Sequence, residues 1–168
     1  ANEAKRLGFK YSPVEKILSS DDVRYSSSLV RDLVSKGKVA EVKNILGRNF
    51  EITGKVVEGR KDAGSILGYP TANIDLENYI IPKFGVYKCS IEIDGVAYDG
   101  VANIGKKPTY VNAEKPLLEV HILNFDKDIY GKQVKVALNE FVREEKKFAD
   151  IEELKRNIKN DIEASYNR

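Results

Sequence analysis

The chain has 168 residues, of which 42% are hydrophobic and 32% are charged, and its formal net charge at pH 7 is +2. Length and composition predict a soluble globular protein with one sizeable core and at most a small appendage. No apolar run approaches the roughly 20 residues needed to span a bilayer, and the start lacks the apolar stretch of a signal peptide. These features exclude a helical membrane protein and favour a cytoplasmic location.

The charges are divided unevenly along the chain. Residues 1–50 carry ten Lys or Arg against six Asp or Glu, whereas residues 51–168 carry eighteen against twenty. Nucleic-acid-binding proteins usually concentrate basic residues on one face, where these residues neutralise phosphates. The mildly acidic balance of the longer part therefore argues against nucleic acid as a partner.

Cysteine and methionine are nearly absent. Cys89 is the single cysteine, so no internal disulfide can form, and its place in an alternating apolar run favours a buried small side chain over a nucleophile. The chain contains no methionine and does not begin with one. It is therefore expected to be a fragment or a trimmed product.

The first fifty residues predict a short helical extension. An extended piece is expected near residues 9–17, before an Asp/Ser-rich turn. A helix should follow, with a serine cap among residues 26–28 and a stop at Gly37. Its apolar positions are Leu29, Val30, Leu33 and Val34. A second helix is expected over residues 39–46, where it would bury Val39, Val42 and Leu46 before Gly47 ends it.

A glycine-rich segment, residues 55–68, is expected to form a long loop. Glycines in and beside it would let backbone N–H groups approach an anion closely: Gly54, Gly59, Gly64 and Gly68. The chain has no GxxxxGK[ST] pattern, which excludes a Walker-type phosphate loop. For the glycines alone, a purely structural turn remains an equally good interpretation.

The segment LGYPTANI, residues 67–74, follows this loop. Thr71 and Asn73 are two residues apart, so their side chains point to one side if the backbone is extended. A hard cation such as Mg²⁺ accepts a hydroxyl and an amide oxygen, but two neutral oxygens hold it weakly unless phosphates complete its shell. The pair therefore favours a site for a metal-bound nucleotide. The alternative is a turn begun by Pro70 in which Asn73 bonds its own backbone.

From residue 51 onward the pattern predicts a mainly β fold. Five stretches alternate or run apolar at strand length: residues 51–57, 86–93, 96–103, 117–125 and 134–142. Asp94 and Gly95 predict a two-residue hairpin, and residues 105–116 a second long loop. A C-terminal helix is expected over residues 151–166, with an apolar stripe at Ile151, Leu154, Ile158 and Ile162. Five or six strands without a βαβ rhythm favour a closed or nearly closed antiparallel barrel.

Two polar residues stand out within the predicted strand at residues 117–125. Glu119 lies among Leu117, Leu118, Val120 and Ile122, and a carboxylate there is costly unless it faces a cleft or a partner. The alternative is an outward-facing residue paired with a lysine. His121 shares the face of Glu119 by the period of two. A lone histidine without a metal-ligand spacing is best interpreted as structural.

Five segments occur in a characteristic order: LGYPTANI, GVYKCSIEIDG, GVANIGKKPT, LLEVHILNF and FVREEKKF. On these motifs the chain from Leu46 to about Ala164 resembles riboflavin kinases. The resemblance implies a closed, six-stranded antiparallel barrel with Greek-key topology and a C-terminal helix. It also implies a Mg²⁺-dependent transfer of the γ-phosphate of ATP to the 5′-hydroxyl of riboflavin, which yields FMN and ADP in flavin cofactor biosynthesis.

The resemblance further implies roles for individual residues. It assigns Mg²⁺ ligation to Thr71 and Asn73 and the role of catalytic base to Glu119. The wider set expected to bind ATP or riboflavin adds Gly59, Gly64, Gly68, Pro70, Asn103 and Arg143. Ser65 departs from the family, which usually has an arginine there, so Arg60 or Lys61 would have to supply that charge. An exposed charged turn is an equally good interpretation of Arg143.

The tyrosines Tyr69, Tyr87, Tyr98 and Tyr110 are open candidates for core positions, for the rim of the site or for stacking on the flavin ring.

The serine cap and both predicted helices lie in SSSLVRDLVSKGKVAEVKNILGR, which resembles the tail of the FMN adenylyltransferase domain of bifunctional bacterial FAD synthetases. Residues 1–48 are accordingly expected to be a remnant of that domain, and residues 49–168 the kinase barrel. The adenylyltransferase binds its nucleotide through a histidine-containing motif, whereas the only histidine here is His121 in the other part. Adenylyltransferase activity is therefore not expected from this chain.

The expected partners are riboflavin or FMN and ATP or ADP, with an adenylyltransferase domain covalently linked in the parent protein. The fragment itself is expected to be a monomer that contacts neither nucleic acid nor membrane. The alternative is a small β-barrel binding module, for nucleic acid or protein, without catalysis.

Overall fold

The computed structural model describes residues 2–10, 12, 17–18, 23–57, 71–76, 79–108 and 114–146, and seven residues between 153 and 163. Three helices come first: α1 Asn2–Leu7, α2 Ser27–Ser35 and α3 Val39–Leu46. Six strands follow: β1 Phe50–Val57, β2 Thr71–Asp75, β3 Gly85–Ile93, β4 Val96–Pro108, β5 Glu114–Ile122 and β6 Gln133–Arg143.

The six strands close into a barrel in the order β1-β2-β5-β4-β3-β6, and every pairing is antiparallel. Strands β3, β4 and β5 pair with their sequence neighbours, whereas β2 pairs with β5 and β6 returns to pair with both β3 and β1. Such non-sequential neighbours are the mark of a Greek-key arrangement. The predicted mainly β fold and six-stranded closed barrel are confirmed.

The hairpin between β3 and β4 has the predicted two-residue turn. Asp94 has φ of 51° and Gly95 has φ of 81°, so both central residues have the positive φ that a type I′ turn requires. Each of the five predicted strands lies mainly within an observed one, and β2 is the sixth. The expected long loop at residues 105–116 is wrong at both ends, because Gly105 pairs with Leu117 and Pro108 pairs with Glu114.

Alternation along the strands separates an apolar interior from a more polar exterior. The inward-facing residues of β2, β4 and β5 include Ala72, Ile74, Ala102, Ile104, Leu118 and Val120, and each is at most 5% exposed. They pack with buried residues of the other strands, including Tyr87, Cys89 and Ile91. The residues between them in sequence therefore face outwards.

The helical extension begins and ends largely as predicted. The hydroxyl of Ser26 accepts a hydrogen bond from Leu29 N at the start of α2, and α3 ends at Gly47, which is left-handed with φ of 68°. Both helices bury apolar residues in a second cluster that also contacts Phe50 of β1. The prediction that Leu46 is buried is wrong: it is 40% exposed at the last position of α3.

Helix α1 was not predicted, and only part of the expected extended piece, residues 9–17, is described. The division of the chain at residue 48 stays a prediction, although it falls between α3 and β1.

The seven described residues between 153 and 163 are helical, in keeping with the predicted C-terminal helix. The residues of the predicted apolar stripe lie outside the described residues. Among the helices described, none is long and apolar enough to cross a membrane.

Candidate functional site

Three residues predicted to belong to the site lie side by side on the outside of the barrel. The register places Asn73 of β2 opposite Glu119 of β5, and places Asn103 of β4 opposite Glu119 on its other side. Directly opposed Cα atoms in antiparallel strands are about 4.5–5.5 Å apart. Asn73, Glu119 and Asn103 therefore form one continuous row across three strands, which we call the acceptor row.

The row continues across the barrel toward the end of β6. Asn103 is opposite Val86 of β3, and Val86 is opposite Arg143 of β6. Four of the residues predicted from sequence thus share one circumference of the barrel, although they come from four different strands.

Asn73 carries an unsatisfied buried oxygen. The residue is only 3% exposed, and its Nδ2 donates a hydrogen bond of 3.4 Å to the backbone oxygen of Thr71. Its Oδ1 has no hydrogen-bond partner among the described residues. Leaving a buried acceptor unpaired costs about 1–3 kcal/mol, a cost that a cation or a donor group would remove.

Thr71 and Asn73 share one face of β2, as predicted. The segment is a strand, and its asparagine is buried. The bond from Asn73 to its own backbone, proposed as the alternative, is present as well. Residues 71–75 form a strand rather than the turn of that alternative, and the bond engages the amide nitrogen while leaving the oxygen available.

The donor set fits a cation that also binds phosphate. No group of three or more His, Cys, Asp or Glu side chains within the described ranges could hold a metal ion. Thr71 and Asn73 offer neutral oxygens, of which Asn73 Oδ1 is unpartnered. Such a pair suits Mg²⁺ only when other oxygens, such as those of a nucleotide, complete its shell.

Glu119 is half-buried at the centre of the acceptor row. It faces outwards, as one of the two sequence interpretations proposed, and the outer face is also where Thr71, Asn73 and Asn103 lie. His121 lies on the same face of β5, opposite Thr71. The period of two therefore placed both residues correctly.

Asn103 contacts a residue that the sequence did not single out. Its Nδ2 donates a hydrogen bond of 3.4 Å to Oε1 of Glu145, which is 42 residues further along the chain. The same carboxylate lies against Gly105, where an added Cβ would overlap it. Glu145 was missed because FVREEKKF resembles an exposed charged turn and no local spacing relates residue 145 to residue 103.

Arg143 is engaged by the C-terminal helix. Its Nε and Nη2 donate to the two carboxylate oxygens of Asp161 at 2.8 and 2.6 Å, and the two side chains are 19% and 9% exposed. This bidentate ion pair ties the end of β6 to the helix. The predicted contact of Arg143 with a ligand stays a prediction.

A cavity of about 250 Å³ opens at the Thr71 end of β2. It is lined by both apolar and polar residues: Val56, Thr71, Ala72, Ile122, Phe125, Asp126, Lys127, Asp128, Ile129 and Tyr130. Most of them belong to the connection between β5 and β6, which the sequence interpretation did not include. An aromatic and aliphatic cluster within NFDKDIYG was the only signal that could have drawn attention to it.

Two tyrosines have structural positions. Tyr87 is fully buried, donates a hydrogen bond of 2.6 Å to Lys83 O, and has its pKa raised by burial. Tyr98 packs edge-on against Phe125, with ring centroids 5.0 Å apart. Cys89 is a core residue, as predicted, and its burial raises the pKa of the thiol.

Several predicted residues lie outside the described part of the chain. These are Gly59, Gly64, Ser65, Gly68, Tyr69, Pro70 and Tyr110. The role of the glycine-rich loop accordingly stays a prediction.

The chain is similar to several known proteins. It is 41% identical over 145 residues to the bifunctional riboflavin kinase/FMN adenylyltransferase of Pseudomonas fluorescens, covering 86% of this chain and 46% of that one. It is 40% identical over 151 residues to the Bacillus subtilis protein of the same name, covering 88% and 47%. The chain thus spans about half the length of these relatives.

A solved structure described as a macrolide-efflux protein from Streptococcus pneumoniae has a TM-score of 0.82 and 33% identity, over 92% of this chain and 50% of that one. That description concerns the other protein, and the likeness supports the fold. Residues 46–167, well over half of the chain, match the family model named Flavokinase and described as riboflavin kinase. The chain therefore belongs to the riboflavin kinase family.

Proposed function

We propose that this chain transfers the γ-phosphate of ATP to the 5′-hydroxyl of riboflavin, which yields FMN and ADP. The observation that carries the proposal is the acceptor row, in which an unpartnered amide oxygen and a carboxylate lie on neighbouring strands beside a cavity. Family membership supplies the chemistry that this geometry would serve.

Glu119 is proposed as the general base. The riboflavin 5′-oxygen attacks the γ-phosphorus, the bond from that phosphorus to the β–γ bridging oxygen breaks, and ADP leaves with the electron pair. The hydroxyl proton passes to the Glu119 carboxylate. Its central place in the row allows Glu119 to contact the 5′-hydroxyl of riboflavin, while the residues on either side of it hold the two substrates.

Thr71 and Asn73 are proposed to hold Mg²⁺ together with the phosphates of ATP. The buried Oδ1 of Asn73 supports this role, because ligation would satisfy an oxygen for which the described part of the chain provides no partner. A bound Mg²⁺ supplies positive charge for the phosphate oxygens during transfer. The protein contributes by placing these ligands one strand away from Glu119.

The cavity beside Thr71 is proposed to take the base of the nucleotide. At about 250 Å³ it is smaller than the roughly 300–1,000 Å³ of a typical ligand pocket, so it suits a ring system better than a whole nucleotide. Phe125, Ile129 and Tyr130 offer apolar and aromatic walls. In this arrangement the phosphates extend from the cavity past Thr71 toward Asn73 and Glu119, and the flavin approaches from the Asn103 side.

The rival function is a binding module without catalysis. A polyanion needs donors and positive charge, whereas the acceptor row presents a carboxylate and an unpartnered amide oxygen. This polarity favours a cation and hydroxyl groups over nucleic acid.

Because the relatives named above are bifunctional proteins about twice as long, we further infer that the natural protein links this domain to an FMN adenylyltransferase domain.

The test is incubation of the chain with ATP, riboflavin and Mg²⁺, followed by chromatographic separation of flavins. FMN should accumulate without FAD, and chelation of the divalent cation should stop the reaction. Three results together would support the rival instead. The chain would make no FMN, it would bind no riboflavin with or without Mg-ADP, and it would bind a polyanion tightly.

A further inference from the structure

The hydrogen bond between Asn103 and Glu145 fixes the orientation of an amide group. An asparagine carboxamide has a donor end and an acceptor end, and a carboxylate can only accept. The end of Asn103 that faces Glu145 must therefore be the NH₂ group, whose Nδ2 lies 3.4 Å from Oε1 of Glu145. Oδ1 of Asn103 is then turned away from Glu145.

The same logic applies at the other end of the acceptor row. The nitrogen of Asn73 is held by the carbonyl oxygen of Thr71, which leaves Asn73 Oδ1 as an acceptor. Both asparagines that flank Glu119 thus have their nitrogens engaged by groups that only accept. The row consequently presents oxygen acceptors on both sides of a carboxylate, and such a surface requires donor groups or a cation.

We propose that Glu145 is a positioning residue for the flavin substrate, which acts by holding Asn103 so that its carbonyl oxygen accepts a hydrogen bond from a hydroxyl group of the substrate's sugar-alcohol chain. Neighbouring strands are about 4.7–4.9 Å apart, so hydroxyls accepted by Glu119 and by Asn103 fit within one short polyol. The inference rests on the proposed function, because it assigns the Asn103 side of the row to riboflavin.

Two features hold the Glu145 carboxylate in place. Gly105 lies on the outer face of β4, two residues beyond Asn103, and any side chain there would overlap Oε1 and Cδ of Glu145. The preceding residue, Glu144, is bonded to Lys83 at 2.7 Å. The carboxylate therefore sits in a notch that only glycine permits, on a segment anchored one residue earlier.

The first experiment compares four variants for riboflavin affinity, Mg-ADP affinity and kcat. Glu145→Ala should weaken riboflavin binding about tenfold, the cost of one misdirected hydrogen bond, with kcat changed far less. Gly105→Ala should have the same effect, because it displaces the carboxylate without removing it. Glu145→Gln should largely restore binding, since its amide oxygen can still accept from Asn103 Nδ2. Glu92→Ala, which removes an outer-face carboxylate of β3 that pairs with Lys135 away from the row, is the control and should bind riboflavin as the wild type does.

A double-mutant cycle tests the route through Asn103. If Glu145 acts only by holding that amide, Glu145→Ala should cause no further loss of riboflavin affinity in an Asn103→Ala background. Equal losses in both backgrounds would overturn the proposal, and so would a loss of Mg-ADP affinity equal to the loss of riboflavin affinity. Melting curves of each variant establish that the fold is retained.

The outcome separates this inference from the proposed function. A wild-type chain that makes no FMN contradicts the kinase function itself. A wild-type chain that makes FMN, with riboflavin affinity unchanged in both Glu145→Ala and Gly105→Ala, contradicts only the role of Glu145.

Discussion

The inner and outer faces of β2, β4 and β5 differ sharply, although they belong to the same short stretches of chain. Inside, Ile74, Ile104, Leu118 and Val120 are less than 1% exposed and form part of one apolar core. Outside, the residues next to them are the polar groups of the acceptor row. Consecutive residues of each strand thus alternate between side chains that stabilise the core and side chains of the candidate site.

This separation makes the register of the barrel important for function. A slip of one residue would move an entire set of side chains to the other face, placing Glu119 in the core and Leu118 in solvent. Core packing therefore fixes the position of the candidate site as well as the stability of the fold, and the closed barrel leaves the strands little freedom to shift. Substitutions on the two faces should consequently have different effects.

The largest effect is expected from Glu119→Gln on the outer face. Loss of the general base should lower kcat by about 10²- to 10⁴-fold. The melting temperature should stay close to that of the wild type, because the substitution conserves shape and leaves the core untouched. Steady-state rates of FMN formation and a thermal melt provide the measurements.

The control for that variant is Glu92→Gln, which removes an outer-face carboxylate on β3 that pairs with Lys135 away from the row. Its rate should be that of the wild type. A Glu119→Gln enzyme with an undiminished rate would exclude this carboxylate as the base.

The next effect is on the inner face, one residue away. Leu118→Ala removes a fully buried side chain and should lower the free energy of unfolding by about 2–5 kcal/mol. The FMN-forming rate per folded molecule should be retained at low temperature. Urea unfolding, combined with rates corrected for the folded fraction, tests both statements. A large loss of rate in fully folded protein would mean that the two faces are coupled more closely than this division allows.

A smaller effect is expected from Asn73→Ala. This variant removes a proposed metal ligand and leaves the apolar core in place, so activity and stability should respond differently. Removing Oδ1 should reduce activity about tenfold or more and increase the Mg²⁺ concentration needed for half-maximal rate. The melting temperature should fall little, since the lost oxygen has no partner within the described ranges and its removal ends an unfavourable burial. Rates measured across a Mg²⁺ titration test the first point. An unchanged Mg²⁺ dependence would remove Asn73 from the metal site.

The same division explains how much the sequence could predict. Alternating apolar residues mark the inner face, so five strands, the Asp94-Gly95 turn and the closed barrel followed from local patterns. Strand β2 was not predicted, because it has only five residues, directly follows Pro70 and carries a buried asparagine on its outer side. Family resemblance supplied the predicted role of Glu119 as a base, whereas the spacing of Thr71 and Asn73 by itself favoured a cation site.

Contacts between distant segments could not be read from sequence. The pairing of Asn73 with Glu119 depends on β2 lying beside β5, and Glu145 reaches Asn103 only because β6 closes the barrel beside β3. Likewise the ion pair of Arg143 with Asp161 joins residues 18 positions apart, and no local pattern predicted it. Each of these positions is set by topology, which local patterns do not encode.

The smallest effect concerns the outer-face contact that anchors the segment carrying Glu145. A hydrogen bond from Lys83, reinforced by its positive charge, lowers the pKa of Glu144 below its ordinary value of 4.5. Lys83→Met should raise that pKa toward 4.5, as an NMR titration of the Glu144 carboxyl would measure. Because the folded-state pKa is the lower one, the contact contributes its full stability above the unfolded pKa and loses it as the pH falls through the folded value. The side chains are exposed, so the change in overall stability should be slight, in contrast to Leu118→Ala. A Glu144 carboxyl that titrates identically in both proteins would show that Lys83 does not hold this segment in solution.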